Sequence, residues 1–391
     1  MDRTVNRIIE IYTIISFFVI AFFEIDSAGS VPLKVFHISQ TKGYVLLLAT
    51  IIAYILLTLS GKTLVLKADR VITLLGVKCI FDLIPFILNP GIGDATYWFF
   101  FSMVFIAPVV YAIFKCYTGD VNKLAKYTTI FGLILILQEV QTIFANGYPY
   151  DSWEYKHFLR IPAAHSNVIG VLLLTILCMR LMQYDGTKVS FIQNALFVIG
   201  LFITQSKGSI LLLLACFVYI KYKKYNTNNR TSIKYILVFG IALFTILVMN
   251  VTAIQLFLFD VTLGNNVTLT MLTSGRTDIW ELAWQKFLLN PFCGSGLGVT
   301  EYDIGYEIIT TGVHNILLDF AVQSGIAGLI LYLYAVFYGI VKTKENAYMN
   351  SAFRMAILVM FSYSMFEVCY FNYSCLFIFW MFIGLYNRKF N

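Results

Sequence analysis

Apolar runs of about 16 to 24 residues recur along the whole chain, each close to the roughly 20 residues a helix needs to cross a hydrocarbon layer. Charged residues make up only 13% of the sequence and hydrophobic ones 59%, against about 25% charged in a soluble domain. These figures exclude a water-soluble fold, a disordered chain and a secreted disulfide scaffold. In lipid the backbone must satisfy its own hydrogen bonds, so the expected fold is an all-α polytopic membrane protein, one integral membrane domain over residues 1–391.

Hydropathy predicts twelve spans, at 8–23, 43–60, 71–88, 97–114, 127–144, 162–180, 190–204, 208–220, 235–250, 313–340, 355–370 and 374–387. Arg3 and Arg7 ahead of the first run resemble a signal peptide, but Glu24 and Asp26 follow it without a small-residue cleavage pattern, so an uncleaved first span is expected. With the N-terminus inside, most of the 28 Lys and Arg fall in cytoplasmic loops, including the run Lys221, Lys223, Lys224, Arg230 and Lys234. The net charge of +7 is then an orientation signal, with both termini cytoplasmic, and gives no reason to invoke a nucleic-acid partner. Lys34, Lys42, Lys156, Arg160, Lys207, Arg276 and Lys286 remain outside. The seven cysteines show no CxxC spacing, and neither a metal site nor a disulfide framework is expected.

One connection is long: residues 251–312 form an extracytoplasmic loop between spans 9 and 10, and loops of that length are uncommon unless functional. Within it Arg276–Asn290 reads as a helix closed by Pro291, with Trp280, Trp284, Phe287 and Leu288 on one apolar stripe. That stripe suits a helix lying at the lipid–water interface or covering the bundle. The following Gly-rich turn, Pro291 to Gly298, lacks the lysine and the strand–helix context of a phosphate loop.

All four histidines, His37, His157, His165 and His314, map to this outer side. Arg160, Lys207 and Arg276 lie at the same level, and several cations near a membrane edge cost free energy unless an anion compensates them. A lipid-linked pyrophosphate would do so. Each candidate has a plainer role: a local ion pair of Arg276 with Asp278 or Glu281, a capping or structural His314 beside Asn315 and Asp319, a Lys207 that reaches to the headgroups. Lys78 and Asp82, four residues apart within one span, read as a mutually neutralising pair. Glu139, Asp319 and Glu367 are acids near outer span ends that spacing alone does not rank.

Several segments resemble the superfamily of O-antigen polymerases, the Wzy-type polysaccharide polymerases, and O-antigen ligases. They are Arg160-Ile-Pro-Ala-Ala-His165-Ser-Asn167-Val-Ile-Gly170, Thr204-Gln-Ser206-Lys207-Gly208-Ser, Ser274-Gly275-Arg276-Thr-Asp278-Ile-Trp280, Asn290 to Gly298, and His314-Asn315-Ile-Leu-Leu-Asp319 with Gly325 and Gly328 beyond. The similarity covers about residues 155 to 335, in the family's order, while the first 150 residues contribute only hydropathy. Two departures stand out: Lys207 replaces the family's usual Arg, and no Pro precedes Asn167.

The resemblance implies a GT-C-like bundle acting without a metal or other cofactor on undecaprenyl-pyrophosphate-linked oligosaccharides, in the bacterial inner membrane with its active site outside. Its partners would be membrane lipids and a chain-length regulator protein. It implies Arg276, Lys207 and Arg160 as pyrophosphate ligands and His314 as the base, with Asn315 or Asp319 fixing its tautomer and Asp278, His165 and Asn167 in support. Trp280, Trp284, Tyr302 and Tyr306 are candidates to stack on sugars. The expected activity is transfer of a growing glycan to a lipid-linked repeat unit. The alternatives are a ligase delivering glycan to lipid A-core and, from a different class, a flippase, which would carry its charges at mid-membrane depth.

Overall fold

The computed structural model describes residues 2–23, 35–60, 69–88, 95–146, 159–183, 186–225, 276–298, 301–303, 309–311, 313–341, 348–367 and 372–388. The elements are almost all helices: α1 Asp2–Phe22, α2 Val35–Leu59, α3 Arg70–Leu88, α4 Ala95–Lys115, α5 Val121–Asn146, α6 Ser166–Met182, α7 Lys188–Ile203, α8 Lys207–Tyr225, α9 Arg276–Leu289, α10 Ile316–Val341, α11 Tyr348–Tyr363 and α12 Tyr373–Tyr386. Two short antiparallel hairpins join them, β1 Arg160–Ile161 with β2 Ala164–His165 and β3 Glu301–Asp303 with β4 Ile309–Thr311.

Among the described residues five helices are long and apolar enough to cross a membrane, over Arg3–Phe22, Lys42–Leu59, Arg70–Leu88, Val121–Ala145 and Ile316–Val341. The others that coincide with expected spans are shorter apolar helices, and the expected ninth span at 235–250 lies outside the described residues. Large apolar side chains stay exposed in stripes, such as Ile326, Ile330, Tyr334, Phe337 and Val341 along α10. A water-facing helix would not keep such a stripe, whereas lipid accommodates it. The chain is accordingly an all-α membrane protein.

The interior is built around α12, all of whose residues are buried, and α6, buried along most of its length. Gly384 lets α12 approach the backbone of α4 closely, since a Cβ there would lie 2.7 Å from the Tyr111 carbonyl oxygen. In α3 the expected Lys78–Asp82 pair forms, Nζ to Oδ2 at 2.6 Å, with neither side chain exposed.

Three expected boundaries move. The sixth span was expected from 162, but Arg160 to His165 form the first hairpin and α6 begins at Ser166: Pro162 lacks the amide a helix interior needs, and its turn closes the two strands. The eleventh was expected to reach 370, but α11 ends at Tyr363 and a turn over 364–367 carries Glu367. The tenth breaks inside, at Gly325, whose φ of 68° and ψ of −177° are open to glycine alone.

That break explains the Gly-rich turn. The carbonyls of Val322 and Gln323, released by the break, accept from Ser295 N at 2.7 Å and Gly296 N at 3.1 Å, and Ile326 N donates to Pro291 O at 2.8 Å. A Cβ on Gly294 would overlap the Gln323 carbonyl and one on Gly325 the Phe292 carbonyl, so both glycines are there for close backbone approach. An irregular backbone stretch at a broken apolar helix persists only if its polar groups are satisfied, and this turn satisfies them.

Candidate functional site

The site is assembled where the turn after α11 meets the first residues of four other helices. Each of those helices leaves unsatisfied amides and a partial positive charge at its N-terminus. Into this convergence the turn places Glu367, only 3% exposed.

His314 stands two residues before α10 with φ 53°, one of two positive-φ non-glycine residues among the described residues, Gln205 being the other. Such a backbone costs of order 1 to 3 kcal/mol and persists where the surroundings over-determine it. Here it turns the imidazole to Glu367, Nδ1 to Oε1 at 2.8 Å. Asn315 does not reach the ring: its Oδ1 accepts from Leu317 N at 3.0 Å and Leu318 N at 3.1 Å, capping α10. Asp319, fully enclosed, accepts from Val313 N at 3.3 Å and so braces the segment that holds His314. The carboxylate at the histidine is therefore Glu367, one of the three acids that spacing could not rank. Of the other two, Asp319 is the brace, and Glu139 is buried on α5 with no hydrogen bond among the described residues.

Arg276, the first residue of α9, places Nη2 3.6 Å from Glu367 Oε2, an ion pair across the site. Asp278 lies in the first turn of α9, where a carboxylate favours the helix end. Asn167, in the first turn of α6, donates from Nδ2 to the same Oε2 at 2.7 Å. His165, just before α6, acts on Glu367 by its charge. Burial alone would raise the Glu367 carboxyl, but His314, then Arg276 and His165, hold it well below the usual range, so it is an ionised acceptor in the turn beyond α11. A carboxylate can only accept, so Nδ1 of His314 is the donor to Glu367, and Nε2 is the ring nitrogen that this contact leaves for another partner.

The α7–α8 turn joins the same end. Ser206 Oγ lies 2.8 Å from Tyr363 Oη at the end of α11, and a Cβ on Gly170 of α6 would sit 2.6 Å from Ser206 Cβ. This brings the backbone of Lys207, the first residue of α8, beside the Asn167 turn, while its side chain lies outside what the structure describes. Arg160 is likewise placed by its backbone alone, opposite His165 in the first hairpin.

Helix α9 covers the bundle through a face next to the expected stripe. Ile279 and Ala283 are buried against Val313 and Val322, and Trp280 Nε1 donates to Val313 O at 2.9 Å, while Trp284 and Leu288 are more than half exposed. The helix thus covers the bundle with one face and leaves part of the expected stripe exposed. Tyr302 lies in β3; Tyr306 and residues 251–275 fall outside the described residues.

The residue at the centre of this cluster that sequence reasoning left unassigned is Glu367, whose one signal was an acid at the end of an apolar run.

Residues 194–333 match a family model described as O-antigen ligase. The match takes in Lys207, Arg276, His314 and α10 through its break to residue 333, and leaves out the hairpin and Asn167 on one side and Glu367 on the other. No curated protein and no solved structure matches the chain. Over the segment 194–333 the chain is thus similar to the O-antigen ligase family, in agreement with the resemblance of its motifs.

Proposed function

We propose that the protein is a polysaccharide repeat-unit polymerase, transferring a growing glycan from undecaprenyl pyrophosphate to the non-reducing end of a lipid-linked repeat unit. The observation that carries this reading is the His314–Glu367–Arg276 arrangement, a base oriented by a carboxylate next to a partly exposed guanidinium. A sugar pyrophosphate already has a good leaving group, so two tasks remain: removing the acceptor hydroxyl's proton and stabilising the departing charge. His314 takes the proton at Nε2 while Glu367 stabilises the imidazolium that forms. Arg276, with Lys207 and Arg160, binds the pyrophosphate and takes the part a metal ion plays in other glycosyl transfers. The acceptor oxygen bonds to the anomeric carbon as the bond to the pyrophosphate breaks.

The positive-inside pattern of the loops supports both termini inside and the site on the outer face, and the family resemblance supports the cytoplasmic (inner) membrane of a bacterium. Membrane lipids and a chain-length regulator are the further partners of this reading. A second reading, O-antigen ligase, is favoured by the description of the family that residues 194–333 match. Both share the chemistry and differ in the acceptor.

Deleting the gene and displaying surface glycan on a gel separates them. Loss of the long-chain ladder with a single repeat still reaching its final acceptor supports the polymerase. Lipid-linked polymer that accumulates without transfer supports the ligase. An unchanged ladder contradicts both.

A further inference from the structure

Lys42 of α2 is 4% exposed, a cation enclosed within the protein. It has no carboxylate partner among the described residues. Its ammonium donates instead to three main-chain carbonyls: Ile20 at 3.0 Å, Pro162, and Ala163 at 3.4 Å. An enclosed ammonium is costly unless its protons are all received, and three acceptors match its three donors. Ile20 lies in the last turn of α1, where carbonyls lack intrahelical partners and the helix end favours positive charge. Pro162 and Ala163 form the turn between β1 and β2. Ala163 O also accepts from Ser374 Oγ, in the first turn of α12, at 3.2 Å. Gly43, next to Lys42, lets α2 come this close to α12, because a Cβ there would overlap the Tyr373 ring.

The hairpin so pinned carries Arg160 opposite His165, and the chain runs from it directly into α6, where Asn167 bonds Glu367. We propose that Lys42 is a positioning residue: it ties the first hairpin to the end of α1, and through the hairpin it sets the place of Asn167 against Glu367. The inference rests on the reading of this cluster as a glycan-transfer site. A cation held by carbonyls suits the task, because it can fix a turn of backbone without introducing an anion beside a site that must receive pyrophosphate. Nothing in the sequence motif Arg160 to Gly170 points to Lys42, which lies about 120 residues earlier.

The test uses the full-length protein in liposomes with an undecaprenyl-pyrophosphate-linked repeat unit, comparing wild type, Lys42→Met, Lys42→Arg, Asn167→Ala, the Lys42→Met/Asn167→Ala double variant and His314→Ala at equal folded amounts. Lys42→Met should lower turnover about three- to tenfold, the same order as Asn167→Ala, because its effect passes through the one Asn167–Glu367 hydrogen bond. Lys42→Arg, which keeps charge and donors, should recover part of the loss. Because Lys42 acts through Asn167, the double variant should be within about twofold of Lys42→Met alone. Wild-type turnover in Lys42→Met, or losses that multiply in the double variant, would overturn the proposal. If Lys42→Met does not fold, Ser374→Ala removes the second anchor of Ala163: turnover reduced a few-fold supports the positioning role, and wild-type turnover overturns it. An inactive His314→Ala beside a fully active Lys42→Met would defeat this inference alone, whereas an active His314→Ala would defeat the site it rests on.

Discussion

Two enclosed carboxylates show what separates a structural ion pair from a site. Asp82 takes its partner Lys78 from one turn earlier in the same helix, and neither side chain has any exposed surface. The ammonium also reaches Ser324 Oγ at 3.3 Å and sits 4.6 Å from the centre of the Phe320 ring, so it ties α3 to the first half of the broken α10. Glu367 is sealed as well, but its partners come from three other segments, and both His314 and Arg276 keep 27% of their side chains exposed. The first arrangement presents no charge to a ligand. The second hides the anion and leaves an imidazole and a cation partly open, which is the asymmetry a transfer site for an anionic donor needs.

The comparison can be broken in several ways. Replacing His314 by Ala removes the base and should lower transfer about 10²- to 10⁴-fold with the protein still folded, as measured by product formation in liposomes. Replacing Asp82 by Ala should act on folding instead: it strands an enclosed ammonium, a loss of about 3 to 5 kcal/mol that appears as less folded protein in thermal or detergent challenge. Glu367→Gln keeps the shape but puts an amide donor at Nδ1, moving the ring proton to Nε2 and costing about 10²-fold or more in turnover. Asn167→Ala leaves the Glu367–His314 contact in place and should cost about three- to tenfold, in line with one lost hydrogen bond to a charged group. The smallest effect is expected from Lys78→Met with Asp82→Leu, where an apolar pair replaces the ionic one: turnover should stay within about twofold, since such swaps are often neutral in stability.

How far the sequence anticipated these two groups follows from their geometry. Lys78 and Asp82 lie on one helix, so a spacing of four residues is enough to pair them. Arg276 and His314 stand out as polar residues at apolar borders and through the family resemblance. Glu367 does not, because the contact that gives it meaning spans 53 residues to His314 and 200 to Asn167, and no periodic pattern encodes a distance of that kind. The hairpin from Arg160 to His165 was hidden for a different reason: Ile161, Ala163 and Ala164 are apolar enough to read as the start of a span, and only the proline hinted at a turn. Gly325 was visible inside an apolar run, but a glycine there is compatible with a straight helix. What forces the break is the approach of the 291–298 turn from outside that run.

The central claim is that Glu367, through His314, belongs to the chemistry. It is tested most directly by one comparison of turnover in liposomes: Glu367→Gln against Lys78→Met/Asp82→Leu, each normalised to folded protein. The account predicts a loss of about 10²-fold in the first and a rate within about twofold of wild type in the second. Wild-type turnover in Glu367→Gln would contradict it.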